Sequence, residues 1–545
     1  MSISLSAQSR SAIAAAPAAG YEVLGLWTGS AVGWLTELAG RRWPAREFAL
    51  FEGRRVSFGE LARWVDKTAQ DLVSRGIEPR DRILVQASNR LEVAVLQLAS
   101  WRIGAVVVPV VPIYREHEMR HILAECRPAA VATSARFGSR RPRAEFDSLL
   151  DEVGLHPKAK YLLDGASPGW VSIPDSSPSS QEPIPLSDPA GPAECCTILY
   201  TSGTTSAPKG AMQSGRAILS NANSMRLVCG FGRDDVLVTG APLSHLSGFI
   251  AACVLPLIVG CRVVLLPAWK PDEAVLLIEE ECGTFSLGAP VFLQDIVERY
   301  EAQTHPAHRL SMYMAGGAPT SPNLVQRGEA LGIRVLRGYG MTEACGPVSM
   351  SPLESDVERR QHFEGQVVLG SEVEAVDAQR APLPPGEIGE LRVRSPQLML
   401  GYLQARQTDA SMDAEGWFYT GDVGSVDAEG WVMLAGRIKD IINRGGEKFS
   451  AKDIEAAIMS HEVVAAAAVV GVPHERLGEA VCAFVTLRSG CEWVGEQTLI
   501  EHLHAMRLAK PKIPVEWHVL DEIPMTASGK VQKHLLLDAR NHSNP

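Results

Sequence analysis

Residues 197–210 read TILYTSGTTSAPKG, an apolar run that gives way to hydroxyls, glycine and a single lysine. Thr201, Ser202, Thr204, Thr205 and Ser206 surround Gly203, and the stretch closes on Lys209 and Gly210. Backbone N–H groups freed in a glycine-rich turn, joined by hydroxyls and an ammonium, form a concave donor cluster suited to a polyphosphate. Taken alone, the same residues also make a polar loop that happens to carry a lysine. A Walker A loop is excluded by spacing, because Lys209 stands six residues after Gly203 and is followed by glycine rather than Ser or Thr. The preceding CCTILYT is expected to be a strand, since β-branched and aromatic side chains sit well on a pleated surface.

Outward from this stretch, β-branched runs alternate with longer amphipathic ones. A helix is expected over ELARWVDKTAQDLVSRG, a strand at RILVQAS, a helix over RLEVAVLQLASWRIG and a strand at AVVVPVV. That alternation predicts parallel sheets covered by helices, an α/β multidomain chain. PDSSPSSQEPIPLSDPAGP (174–192) is rich in proline and serine and reads as loop. From PLPPGEIGELRVRS (383–395) to about residue 440, dense glycine and strand signals predict a β-rich region. A different rhythm follows, with a helix capped by Ser450 with Asp453 three residues on, then AAAAVVGVP, VCAFVTL and VEWHVL as strands around a helix over LIEHLHAMR. This predicts a separate α+β domain of roughly a hundred residues.

The 545 residues carry 52 basic and 63 acidic side chains, a net charge of −11, so no broad basic field draws nucleic acid or anionic lipid. The ten cysteines are scattered without the paired C-x-x-C spacing of a zinc site, and read as reduced, mostly buried thiols of a cytoplasmic protein. The first 30 residues lack an apolar core and read as a flexible tail rather than a signal peptide. FIAACVLPLIVGC (249–261) is too short for a membrane span and contains Pro256 and Gly260; a buried helix before the strand RVVLL is expected.

Four further clusters carry chemistry. In RGYGMTEACG (337–346), Glu343 follows Thr342 in a loop opened by Gly338 and Gly340, which suits a magnesium ligand beside a phosphate-binding hydroxyl. In YTGDVG (419–424), Asp422 could accept hydrogen bonds from two vicinal hydroxyls of a ribose. GRIKDIINRGGEKFSAKDIE (436–455) joins a charged corner to a glycine pair and a helix, and IPMTASGKVQKHLL (523–536) places Lys530 in a glycine turn before a helix. Each has a bland alternative: a solvated glutamate, a turn aspartate, ordinary punctuation between elements.

Taken in order, TSGTTSAPKG, GYGMTE, YTGD, GRIKD…RGGEK and PMTASGK resemble the successive core motifs of the ANL adenylate-forming superfamily. That family comprises acyl-CoA synthetases, peptide-synthetase adenylation domains and firefly-type luciferases, and the resemblance extends from about residue 30 to the C-terminus. It implies a large N-terminal domain (31–438) of doubly wound sheets plus a small β-barrel, and a small mobile α+β C-terminal domain (439–545) joined at a hinge, Lys439. It implies two half-reactions using ATP, Mg2+ and coenzyme A: a carboxylate attacks the α-phosphate to give an acyl-adenylate and pyrophosphate, then a thiol displaces AMP. By resemblance, Thr201, Ser202, Gly203, Thr204, Thr205 and Lys209 grip the β- and γ-phosphates. Thr342 touches the α-phosphate and Glu343 holds magnesium. Adenine lies against Tyr339 near Gly317 and Ala318, while Asp422 and Arg437 hold the ribose. Lys530 matches the adenylation lysine, and Gly445 and Gly446 match the glycines lining the pantetheine tunnel.

The acid pocket of such enzymes aligns with PLSHLSGF, SLGAPV, AGGAP and GYGM, which implicates His245, Phe249, Gly288, Gly316 and Gly340. Small residues dominate, leaving room for a bulky apolar acid: alicyclic, polycyclic, aryl or medium-chain. LVTGAPLSHLSGFIAAC contains no carboxylate to bind an α-amine, which disfavours an amino acid. Two positions depart from the family pattern: Ser206 where glycine is common, and Gln213 where histidine is frequent. The reading is an AMP-forming acyl-CoA synthetase. The alternatives are a ligase that only adenylates, handing acyl-AMP to an acyl carrier protein or a separate thioesterifying partner; a non-catalytic nucleotide-binding regulator; and a luciferase-like oxygenase.

Overall fold

The structure is a computed structural model describing residues 21–22, 26, 31–137, 139–177, 186, 189–201, 208–303, 308–444, 447–474, 477–488, 490–525, 531–533, 535–537 and 540. Of the stretch expected to be a tail, Tyr21 and Leu26 are packed at 4% and 1% exposure, and the Ser220 hydroxyl donates to the Leu26 carbonyl at 2.6 Å. Of the expected 174–192 loop, 178–185, 187 and 188 lie outside the described residues. Its start is pinned by the Trp64 indole, which donates to the Pro174 carbonyl at 2.6 Å.

The chain divides into two compact units. The described residues of Met1–Gly203, Ala207–Glu372 and Arg394–Ala410 form the first; those of Thr204–Ser206, Val373–Val393 and Ser411–Pro545 form the second.

Among its described residues the first unit holds two large sheets. One runs Gly401–Tyr402, Lys209–Ser214, Cys195–Thr201, Val106–Pro109, Arg82–Gln86, Ala130–Thr133, Ala159–Leu162, Val171–Ser172. From Cys195–Thr201 onward its pairs are parallel, as the alternating sequence predicts. Lys209–Ser214 turns back antiparallel, and Gly401–Tyr402 adds to its outer edge antiparallel again. The stretch 197–210 therefore supplies parts of both strands of a hairpin appended to a parallel sheet.

In the other sheet, Glu47–Phe51, Arg262–Leu265, Val236–Thr239, Phe285–Gly288, Met312–Gly316 and Arg334–Met341 are parallel neighbours. Gly346–Met350 then pairs antiparallel with Arg334–Met341. Helix Leu91–Arg102 buries ten of its twelve residues, which fits a sequence apolar on all faces. Its Trp101 donates to the Cys196 carbonyl at 3.0 Å and meets Phe249 edge-on at 5.1 Å. The apolar 249–261 run is helical as expected, with a π segment, Ile250–Val254, between α-turns Leu246–Phe249 and Leu255–Val259; it ends at Gly260 before the strand Arg262–Leu265.

In the second unit, Glu372–Val376, Gly389–Arg394, Phe418–Val426 and Val432–Arg437 form a four-stranded sheet in the β-rich region. Beyond it, Val464–His474 and Gly478–Leu487 form a long antiparallel hairpin. Its side chains alternate with the two-residue period of a strand: Ala467 and Val469 pack with Ile454, Ile458 and Leu499, while Ala468, Val470 and Val472 pack with Ile523 and Leu536. The expected serine cap is corrected. Ser450 does precede helix Ala451–Met459, but its hydroxyl oxygen accepts no hydrogen bond from the helix N–H groups, and the hydroxyl donates to the Ala435 carbonyl. The strand carbonyl, reached past Gly436, orients the hydroxyl away from the capping position.

No helix among the described residues is long and apolar enough to cross a membrane. All ten cysteines are unbridged; Cys282 is exposed, Cys195 and Cys491 are half-buried, and the other seven are buried. Burial pushes the Cys195 thiol up to about 11 and those of Cys126 and Cys229 to about 12, so thiolate is scarce there at neutral pH. A thiol reagent added to native protein should therefore tag Cys282 first, the buried cysteines reacting only on denaturation. Peptide mapping that found early label on Cys196 or Cys253 would contradict this packing.

Candidate active site

In an open parallel sheet, ligands bind beyond the carboxyl ends of the strands. Three neighbouring strands end in the segments singled out by sequence: Phe285–Gly288, Met312–Gly316 and Arg334–Met341. Gly288 pairs with Ala315, and Gly316 with Gly338, so Gly317 and Ala318 and the turn Thr342–Ala344 extend past the same edge. His245 and Phe249 follow the adjacent strand Val236–Thr239. The His245 ring shares a hydrogen bond with the Ser247 hydroxyl at 2.8 Å, while Phe249 is buried against Trp101. Tyr339 is also buried.

Glycine at 340 has a backbone reason. The register with Gly346–Met350 shifts between Tyr339 and Gly340, and a Cβ on Gly340 would lie 2.1 Å from the Gly346 carbonyl oxygen. A Cβ on Gly316 would meet only the Gly338 carbonyl oxygen, at 3.6 Å. Of these two glycines in the expected acid-pocket segments, one is thus demanded by strand packing and the other is not.

The Thr342–Glu343 turn belongs to one sheet and is fastened to the other. Gln213, fully buried on Lys209–Ser214, donates from Nε2 to the Thr342 carbonyl at 2.6 Å. The Met399 N–H donates to the Glu343 carbonyl at 2.7 Å, and the Tyr402 hydroxyl donates to Glu343 Oε1 at 2.7 Å. The Lys209 ammonium sits 5.3 Å from the centroid of the Tyr402 ring, an amino–aromatic contact. Burial first, then the Glu343 carboxylate beside it, holds the Tyr402 phenol protonated well above its usual range. Thr201, at the end of its strand, is paired in register with Lys209 and donates weakly to the Lys209 carbonyl at 3.5 Å. The His121 ring meets the Pro208 carbonyl at 3.0 Å.

Ser202, Gly203, Thr204, Thr205 and Ser206, together with Gly445, Gly446 and Lys530, lie outside the described residues; for Lys439 the backbone alone is described, in the turn Ile438–Asp440. In the second unit, Asp422 and Arg437 stand directly opposite each other on antiparallel strands, and Arg437 Nε donates to Asp422 Oδ1 at 2.8 Å. Asp422 is buried and Arg437 half-exposed, so the guanidinium compensates a carboxylate that burial would otherwise penalise.

The Glu343 carboxylate is a hard oxygen donor of the kind magnesium takes when phosphates and water complete its shell. Sequence reasoning noted Gln213 only as a departure and missed Tyr402 altogether. The single available signal was a Gly-Tyr pair at 401–402 in a stretch with weak periodicity.

A family model described as AMP-binding enzyme matches residues 36–403, and one described as AMP-binding enzyme C-terminal domain matches residues 453–530. The chain is 31% identical over 523 residues to the medium-chain fatty-acid–CoA ligase of Escherichia coli (strain K12), covering 95% of this chain and 92% of that one. It is 29% identical over 537 residues to a salicyl-AMP ligase / salicyl-S-ArCP synthetase of Mycobacterium tuberculosis, covering 95% and 92%. Among solved structures, ATP-bound MatB from Rhodopseudomonas palustris matches with a TM-score of 0.82 at 28% identity, over 92% of this chain and 98% of that one.

The two glycines offer a clean contrast. Gly340→Ala should lower unfolding stability by about 1–3 kcal/mol, as overpacking does, whereas Gly316→Ala should melt like the parent. Denaturant unfolding of both checks this, and equal stability of the two variants would refute the strand-packing account of Gly340.

Proposed function

The chain belongs to the family of AMP-binding enzymes, the ANL adenylate-forming superfamily, and on that premise we propose that it joins a bulky apolar carboxylic acid to coenzyme A through an acyl-adenylate. The observation that carries this reading is the Thr342–Glu343 turn, held by Gln213, Met399 and Tyr402 beside the strand that leaves the hydroxyl-rich loop.

In the first half-reaction an ionised carboxylate oxygen attacks the α-phosphorus of ATP and pyrophosphate leaves. A carboxylate needs no general base at neutral pH, so none is assigned. The obstacle is electrostatic: nucleophile and phosphate are both anionic, and charge grows on the phosphoryl oxygens. Mg2+, when bound, neutralises part of that charge, and Glu343 is the residue proposed to hold it. Lys209 with Thr201, Ser202, Gly203, Thr204 and Thr205 would hold the β- and γ-phosphates, Thr342 the α-phosphate, and Lys530 would place an ammonium on the transition state. A well-aimed donor of this kind contributes about 3–4 kcal/mol. Tyr339, Gly317 and Ala318 would take the adenine, and Asp422 and Arg437 the ribose. In the second half-reaction the thiol sulfur attacks the acyl carbonyl, its proton passes to solvent and AMP leaves. The domain boundary at 438/439, the hinge at Lys439 and a pantetheine path along Gly445 and Gly446 belong to this reading.

The acid class rests on the segments beyond the sheet edge, where LVTGAPLSHLSGFIAAC supplies no carboxylate for an amine, and His245, Gly288 and Gly316 would border the pocket. Unbridged cysteines support a cytoplasmic location. A second reading has specific support: the similar Mycobacterium tuberculosis protein is named for a carrier-protein product, which favours an acyl carrier protein as alternative acceptor.

Mass spectrometry of products from ATP, Mg2+ and a panel of acids from acetate to polycyclic acids, with and without CoA, tests the proposal. Acyl-AMP that converts to acyl-CoA supports the synthetase; acyl-AMP that persists moves the thiol step to another acceptor; no acyl-AMP with any acid sinks both. Lys530→Ala should slow acyl-AMP formation about 10²–10³-fold while sparing thioester formation from supplied acyl-AMP. Equal loss in both half-reactions would overturn the role given to Lys530.

A further inference from the structure

Tyr402 has no part in the reaction as set out above, yet its hydroxyl donates to Glu343 Oε1 at 2.7 Å. The phenol is 5% exposed and is itself fixed from several sides. Its N–H donates to the Thr408 hydroxyl at 2.8 Å, and its strand is in register with Lys209–Ser214, Tyr402 facing Ala211. The flanking Leu400 and Leu403 N–H groups donate to the carbonyls of Met212 and Gly210, both at 2.8 Å. Its ring carries the Lys209 ammonium on one side while its oxygen holds the glutamate.

We propose that Tyr402 is a positioning residue that fixes the Glu343 carboxylate for a divalent cation and ties that carboxylate to Lys209 of the phosphate-binding loop. The inference rests on the reading of Glu343 as the metal ligand. One carboxylate oxygen accepts a hydrogen bond from the phenol, which restrains the group's rotation and would leave its second oxygen to a cation. A neutral donor suits this task, since a cationic partner would cancel the charge that attracts the metal. Hydrogen-bonding partners behind a metal ligand govern affinity by this means. The ring contact with Lys209 places the phosphate-gripping ammonium and the metal-gripping carboxylate on opposite parts of one rigid side chain.

Tyr402→Phe deletes the hydroxyl and keeps the ring, so it separates orientation from packing. The readout is the ratio of ATP dissociation constants in EDTA and in Mg2+, measured by isothermal titration calorimetry on the full chain without acid. In Tyr402→Phe this ratio should fall about tenfold or more, with metal-free ATP affinity and melting temperature unchanged. In a Glu343→Gln background, adding Tyr402→Phe should change the ratio less than about twofold, because the phenol acts through the carboxylate. A ratio that Glu343→Gln abolishes and Tyr402→Phe preserves would overturn the inference alone. A parent ratio that Glu343→Gln leaves intact would overturn the role of Glu343 as well.

Discussion

The arrangement depends on bridging two sheets at one turn. Thr342 and Glu343 sit where the Arg334–Met341 strand ends, so their own sheet holds them from one side only. Three hydrogen bonds of 2.6–2.7 Å from Gln213, Met399 and Tyr402 supply the other side. Two of these reach carbonyls and one a carboxylate, so both the backbone path and the side-chain direction of the turn are set. Because the donors lie on or beside Lys209–Ser214, that strand and the turn share a common frame. A displacement of about 1 Å in such a site can cost two orders of magnitude in rate, and two of the three donors, Gln213 and Tyr402, stand on strands that hold them in register.

Burial makes that bridge both strong and demanding. Away from water a hydrogen bond gains electrostatically, but any polar atom left over is expensive, at about 1–3 kcal/mol each. Gln213 Oε1, Asn221 Nδ2 and Gln397 Oε1 are buried and lack a protein partner among the described residues. All three side chains adjoin the 342–347 stretch: Gln213 through the Thr342 carbonyl, Gln397 through the Pro347 carbonyl at 3.2 Å, and Asn221 beneath Gly346, whose added Cβ would meet it at 2.6 Å. Stability elsewhere in the unit, above all the apolar packing around Trp101 and helix Leu91–Arg102, offsets a polar interior of this kind.

How much of this could be read from the sequence follows from the range over which each interaction acts. Strand Cys195–Thr201, the alternating helices and strands after residue 50, and the change of rhythm after residue 440 were legible because periodicity records local burial. The order of five motifs located the turn and its carboxylate. Tyr402 and Gln213 were not legible in their roles, because their partners lie 59 and 129 residues away and nothing local marks them. Ser450 carried a correct local signal for a helix start, but a strand carbonyl close in space took its hydroxyl. Leu26 likewise looked like part of a small-residue tail, and only its burial against the body of the unit says otherwise.

The two carboxylates assigned to ligand contacts are held by different kinds of donor, and the difference fits the charges they would face. Asp422 is paired with the Arg437 guanidinium, and Glu343 with the neutral Tyr402 phenol. A carboxylate that is to accept hydrogen bonds from uncharged ribose hydroxyls loses little by having its charge compensated, and gains a fixed plane and relief from the cost of burying an unpaired anion. A carboxylate that is to hold a divalent cation needs its charge intact, and a guanidinium at the same distance would repel the ion. A phenol supplies direction without compensation. Glu343 remains half-buried while Asp422 is buried, so the charge left uncompensated is also the one closer to water.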